Sequence, residues 1–81
     1  MKQQNLKITA SIEAREVALI VQTASKFTSS IKIILDDKKV NAKSIMGLIA
    51  LGGLDGKDVT ISAEGNDEED AIKELAQFLT Q

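Results

Sequence analysis

The apolar residues of this chain switch repeatedly between a period of two and a period near 3.6, so neither an all-helical nor an all-strand fold suits it. Leu6, Ile8 and Ala10 alternate with Lys7 and Thr9, the pattern of a half-buried strand. Val17, Ile20, Val21 and Ala24 then fall at i, i+3, i+4 and i+7, the stripe of an amphipathic helix. Ile31 to Leu35 is rich in β-branched apolar residues, Asp36-Asp37 can turn, and Val40 to Ala42 can return as the second arm of a hairpin. Ser44 to Leu51 reads as a short helix with Ser44 at its N-cap and Gly52-Gly53 as its stop. Val59, Ile61 and Ala63 alternate with Thr60, Ser62 and Glu64 in another strand. A last helix is predicted to open at Asn66, with Glu69 as capping-box partner and Ile72, Leu75, Ala76 and Leu79 as its buried stripe.

The order is therefore β-α-β-β-α-β-α. An α+β fold follows: a four-stranded antiparallel sheet with three helices on one face, an open-faced sandwich forming a single domain over residues 1–81. A domain of this length buries about 60–65% of its unfolded surface. With Phe27 and Phe78 as its only aromatics, the core has to be aliphatic.

Composition excludes several kinds of chemistry. The chain has no cysteine, which removes disulfides, thiolate nucleophiles and most structural zinc sites. It has no histidine either, so a transition metal would depend on carboxylates, a poor ligand set for such ions. A net charge of −2 argues against direct nucleic-acid binding, which calls for a basic face. The apolar run from Ile45 to Leu54 is far short of the roughly 20 residues of a membrane helix. Met1 to Asn5 leads into alternation without the apolar core of a signal peptide, so a cytoplasmic protein is expected. Asn66 to Asp70 lacks the spacing and glycine of an EF-hand loop. Gly52-Gly53-Leu54-Asp55-Gly56 is not followed by the Gly-Lys-Ser/Thr of a phosphate loop. No triad or acid/base pair is present, and neither an enzyme nor a bound cofactor is expected.

The middle of the chain, Lys38-Lys39-Val40-Asn41-Ala42-Lys43-Ser44-Ile45-Met46-Gly47-Leu48-Ile49-Ala50-Leu51-Gly52-Gly53, closely resembles the HPr family. Lys26-Phe27-Thr28-Ser29 and Val59 to Gly65 resemble it as well. HPr proteins are phosphocarriers of the bacterial sugar phosphotransferase system, and the resemblance implies the same element order. In the family, phosphate travels on a histidine within a stretch that reads roughly Gly-Leu-His-Ala-Arg-Pro-Ala. Here that stretch is Ser11-Ile12-Glu13-Ala14-Arg15-Glu16-Val17-Ala18. Glu13 stands at the histidine's position, Arg15 matches the arginine, Glu16 replaces the proline, and the preceding loop is about two residues shorter. Reversible carriage needs a nucleophile that is neutral near pH 7, whereas a glutamate is mostly ionised there. Glu13 is chemically open to forming an acyl phosphate or to mimicking a phosphohistidine's charge. Complementing the helix dipole explains both Glu13 and Glu16 more simply.

Ser44 carries the other half of the resemblance. As an N-cap it is worth about 1 kcal/mol. As the family's regulatory serine it is a phosphorylation site, with Lys43 and the Lys38-Lys39 pair expected nearby to screen the added charge. The short helix after it is apolar all round, which means complete burial or an interaction surface. Leu48 and Leu51 share the sheet-facing side with Ser44, which leaves Ile45, Met46 and Ile49 facing outward as a candidate docking patch.

The resemblance implies a histidine-less protein of the catabolite-repression HPr type. Such a protein is phosphorylated on Ser44 by HPr kinase/phosphorylase, then acts as corepressor of a LacI-type catabolite control repressor. Arg15, Ile45, Met46 and Ile49 would be the repressor contacts. A different class stays open: an HPr-like module that docks on a metabolic enzyme or kinase without phosphoryl transfer, or uses the same patch to form a homodimer. With no histidine to receive it, phosphate from phosphoenolpyruvate and enzyme I should not label the chain. Stable label that disappears in Glu13→Gln would show instead that Glu13 carries it.

Overall fold

The computed structural model describes residues 1–81. It contains β1 (Lys2–Lys7), α1 (Ala14–Ser25), β2 (Ser30–Leu35), β3 (Lys38–Asn41), α2 (Ile45–Ala50), β4 (Asp58–Glu64) and α3 (Glu68–Leu79). The four strands form one antiparallel sheet in the order β1-β4-β2-β3, with the three helices on one face. The expected α+β architecture is what forms.

Register decides which face is buried. Ile33 lies opposite Ile61, and Ile31 opposite Ala63, so the apolar rows of the two central strands stand side by side. Ile31, Ile33, Leu35, Val59, Ile61 and Ala63 are all buried beneath the helices. The helices answer with Ile20 and Ala24 from α1, Leu48 from α2, and Ala71, Ile72, Leu75 and Leu79 from α3. Leu51 and Leu54 complete the core after α2. Sliding either central strand by one residue would put Lys32 or Thr60 into this core, which fixes the pairing. The hairpin between β2 and β3 turns at Asp36-Asp37, with Leu35 opposite Lys38. Asp36 adopts φ 57°, the left-handed region that aspartate enters more readily than most residues.

Three boundaries differ from the sequence expectation. The returning arm of the hairpin is Lys38–Asn41 instead of Val40 to Ala42, because Lys38 pairs with Leu35 directly across the turn. The first strand runs from Lys2 to Lys7 instead of from Leu6 to Ala10, because Lys2 to Lys7 pair in register with Ala63 to Asp58. An edge strand tolerates such a polar run. Beyond it the chain leaves the sheet: the N–H groups of Thr9 and Ala10 donate to the Leu79 carbonyl at the end of α3 (3.0 and 3.1 Å). Ile8 still reaches the core and is completely buried.

The last helix begins at Glu68, and the Asn66–Glu69 capping box does not form. Glu68 takes the inward role, its Oε1 accepting from the Gly65 N–H at 3.0 Å, while Glu69 pairs with Lys2 at 3.4 Å. Asp67 is occupied elsewhere. Its carboxylate accepts from the backbone N–H groups of Thr28 (2.9 Å) and Ser29 (3.0 Å) and from the Ser29 hydroxyl. This knot brings the α1–β2 loop against the start of α3 so closely that a Cβ on Gly65 would lie 2.6 Å from Ser29 Oγ. Glycine is required there by space and by its φ of 154°.

The Ser29 hydroxyl first, then the Thr28 N–H, pull the Asp67 pKa down to about 2. A carboxylate whose pKa is lower in the folded state stabilises the fold fully above its unfolded pKa, and this contribution is lost as pH falls through the folded value. Asp67→Asn should therefore be less stable than wild type at neutral pH, and the gap should close between about pH 4 and pH 2. Urea unfolding across that range measures it; a gap that does not change with pH would contradict the knot.

Candidate functional site around Ser44

Three backbone-directed contacts shape the turn before α2. The Asn41 side-chain carbonyl accepts from the Lys43 N–H (2.8 Å), and the Asn41 backbone carbonyl accepts from the Ser44 N–H (3.0 Å). Ser44 itself is extended (φ −116°, ψ 115°), and its Oγ accepts from the Gly47 N–H at 3.1 Å. Ser44 is thus the N-cap of α2, satisfying one of the helix's free donors. Gly47 lies so near β3 that a Cβ there would come within 3.2 Å of the Val40 Cβ, so glycine lets the first turn rest on the strand.

The two sides of α2 divide sharply. Leu48 is 1% exposed and Leu51 6%, while Ile45, Met46 and Ile49 are 46%, 77% and 60% exposed. The outward placement expected from spacing is the one found. Apart from Met1, the only other large apolar side chain so exposed is Leu19 on α1, the helix that packs beside α2. Sequence reasoning missed Leu19 because it falls off the buried stripe of α1, and an isolated leucine off a stripe carries no signal of its own.

Lys43 makes a contact that the sequence did not suggest. Its Nζ donates to the Phe27 carbonyl at 2.8 Å, just past the end of α1. That helix has no basic residue in its own last turn, so Lys43 supplies from outside the cation that complements the negative end of the dipole. Lys38 and Lys39 are exposed on β3 and enter no ion pair.

At the entrance of α1, Glu13 is the N-cap residue, and its N–H donates to Glu16 Oε1 at 3.0 Å. The preceding N–H, of Ile12, is taken by Asp55 Oδ1 at 2.9 Å. Acidic side chains thus serve the free donors around this helix start, the arrangement expected from dipole complementarity. Arg15 extends into solvent, its Nε 3.6 Å from Glu16 Oε2, and with Glu16, Leu19 and Phe78 it borders a shallow cleft between α1 and the end of α3. The structure therefore joins Ser44, Ile45, Met46 and Ile49 on one helix and leaves Arg15 and Glu13 at the start of a neighbouring one.

The family model described as "PTS HPr component phosphorylation site" matches residues 2–81. The chain belongs to the HPr family. HPr-like protein Crh of Halalkalibacterium halodurans is 49% identical over 78 residues, covering 96% of this chain and 93% of that one. The crystal structure of the phosphocarrier HPr from Bacillus anthracis superposes with a TM-score of 0.93 at 40% identity, covering 98% of this chain and 96% of that one. Crh of Bacillus subtilis, crystallised as an intertwined dimer with a swapped domain, gives a TM-score of 0.79 at 44% identity, covering 98% and 93%. Within the HPr family this chain is therefore of the Crh type, and it contains no histidine. No helix of this HPr-like fold is long and apolar enough to cross a membrane.

Proposed function

We propose that this HPr-family chain is a regulatory protein of the cytoplasm. HPr kinase/phosphorylase phosphorylates Ser44, and the product is corepressor of a LacI-type catabolite control repressor. One observation carries the reading: the capped serine sits at the head of a helix whose outward side is an exposed Ile45-Met46-Ile49 patch, in a chain without the carrier histidine.

Phosphorylation adds roughly −1.5 to −2 charge at pH 7. Lys43, the nearest cation in sequence, is committed to the Phe27 carbonyl. A cationic pocket on the partner would pair the phosphate, since charge-assisted hydrogen bonds are the strong ones. The apolar patch docks beside it, with Arg15 at the edge of the contact. Glu13 is not assigned a carrier role, since it caps α1 and no histidine replaces it.

Exposure of the patch also supports a second reading, in which the module docks on a metabolic enzyme or kinase, or on a second copy, without modification. The dimeric crystal structure of the Bacillus subtilis relative makes self-association the natural control. Calorimetric titration of kinase-treated and untreated chain against the repressor separates the readings. Treated protein is expected to bind clearly more tightly. Ser44→Ala should fold, lose about 1 kcal/mol as a missing cap, and bind the same before and after kinase treatment. Equal affinity of the two wild-type forms would remove the switch and leave the unmodified docking module.

A further inference from the structure

We propose that Asn41 and Lys43 are positioning residues for the phosphorylation of Ser44, an inference that rests on the reading above. The chemical step is simple. Ser44 Oγ attacks the terminal phosphorus of a nucleoside triphosphate held by the kinase. An O–P bond forms as the bond to the nucleoside diphosphate breaks, and the hydroxyl proton passes to a base on the kinase. Because such a step depends on alignment of the attacking oxygen, a serine already fixed in place reacts faster than one on a loose loop.

Ser44 is fixed from both sides. Behind it, Asn41 holds the turn at two points, its Oδ1 on the Lys43 N–H (2.8 Å) and its backbone carbonyl on the Ser44 N–H (3.0 Å). The Lys43 side chain adds a long-range anchor, its Nζ 2.8 Å from the Phe27 carbonyl, which ties this turn to the end of α1 across sixteen residues of sequence. Ahead of it, the Gly47 N–H donates to Oγ at 3.1 Å. That bond occupies one lone pair and sets the hydroxyl's direction, and the hydroxyl donates to no protein group of its own. Its proton is therefore available to an incoming base. The anchor has a second effect, since a lysine adjacent to the serine would otherwise be free to pair with the product phosphate and compete with the partner's cations.

Steady-state kinetics with HPr kinase and ATP test this on the full chain. Lys43→Met and Asn41→Ala should each lower kcat/KM by about tenfold or more, mainly through kcat, since both substitutions loosen the turn that aligns Ser44. Lys43→Arg and Asn41→Asp keep a donor and an acceptor at the same places and should recover most of the rate. Amide hydrogen exchange at Ser44 and Gly47, read without kinase, should quicken in Lys43→Met and Asn41→Ala and stay near wild type in the conservative pair. Wild-type kcat in Lys43→Met and Asn41→Ala, with Ser44 still labelled, overturns the positioning role and leaves the proposed function intact. A loss confined to KM also overturns it, marking these residues as kinase contacts. Absence of label on Ser44 in the wild type overturns both proposals.

Discussion

A single layer of helices over one face of one sheet is the constraint from which the rest of this molecule follows. The inner rows of β2 and β4 need cover, and α1, α3 and the buried side of α2 supply it. No second layer lies outside those helices. A short helix in that layer can bury one side only, so apolar residues on its other side have to face solvent. Leu48 and Leu51 take the buried side of α2, and Ile45, Met46 and Ile49 are left out. For a small protein such an exposed cluster opposes solubility, and a binding partner is its plainest physical justification.

The same thinness accounts for the way α1 is held. Its flanking backbone is fixed by charged side chains reaching in from elsewhere in the chain. Asp55 accepts from the Ile12 N–H before the helix, Lys43 donates to the Phe27 carbonyl after it, and Asp67 gathers the N–H groups of Thr28 and Ser29 next in line. Each bond links residues 16 to 43 positions apart. A core with only two aromatic residues has limited bulk with which to define helix positions, and these directional bonds add the missing specificity. They also connect the Ser44 turn to α1, because the residue next to the serine is one of the three anchors.

What the sequence made legible were features governed by local period and local caps. The element order, the Asp36-Asp37 turn, Ser44 as N-cap and the outward side of α2 all follow from spacing within about eight residues. The family was readable from the stretch around Ser44. Boundaries set by distant partners were not. β1 begins in a polar run that only pairing with β4 makes a strand, and the Asn66–Glu69 box loses to a carboxylate bond between Asp67 and a loop almost forty residues away. The contact of Lys43 with the Phe27 carbonyl was illegible for the same reason: a side chain's distant backbone acceptor leaves no trace in its neighbours.

On the proposed reading, modification of Ser44 turns an exposed apolar patch into a specific contact. Methyl-resolved NMR of the isotopically labelled chain tests it most directly, with unlabelled repressor added before and after kinase treatment. The methyl signals of Ile45, Met46 and Ile49 are expected to shift or broaden strongly in the phosphorylated chain and hardly at all in the unmodified one, while Ile34 on the opposite face of the sheet is unaffected in both. Equal perturbation of the patch in the two forms, or perturbation centred on the Ile34 face, would contradict it.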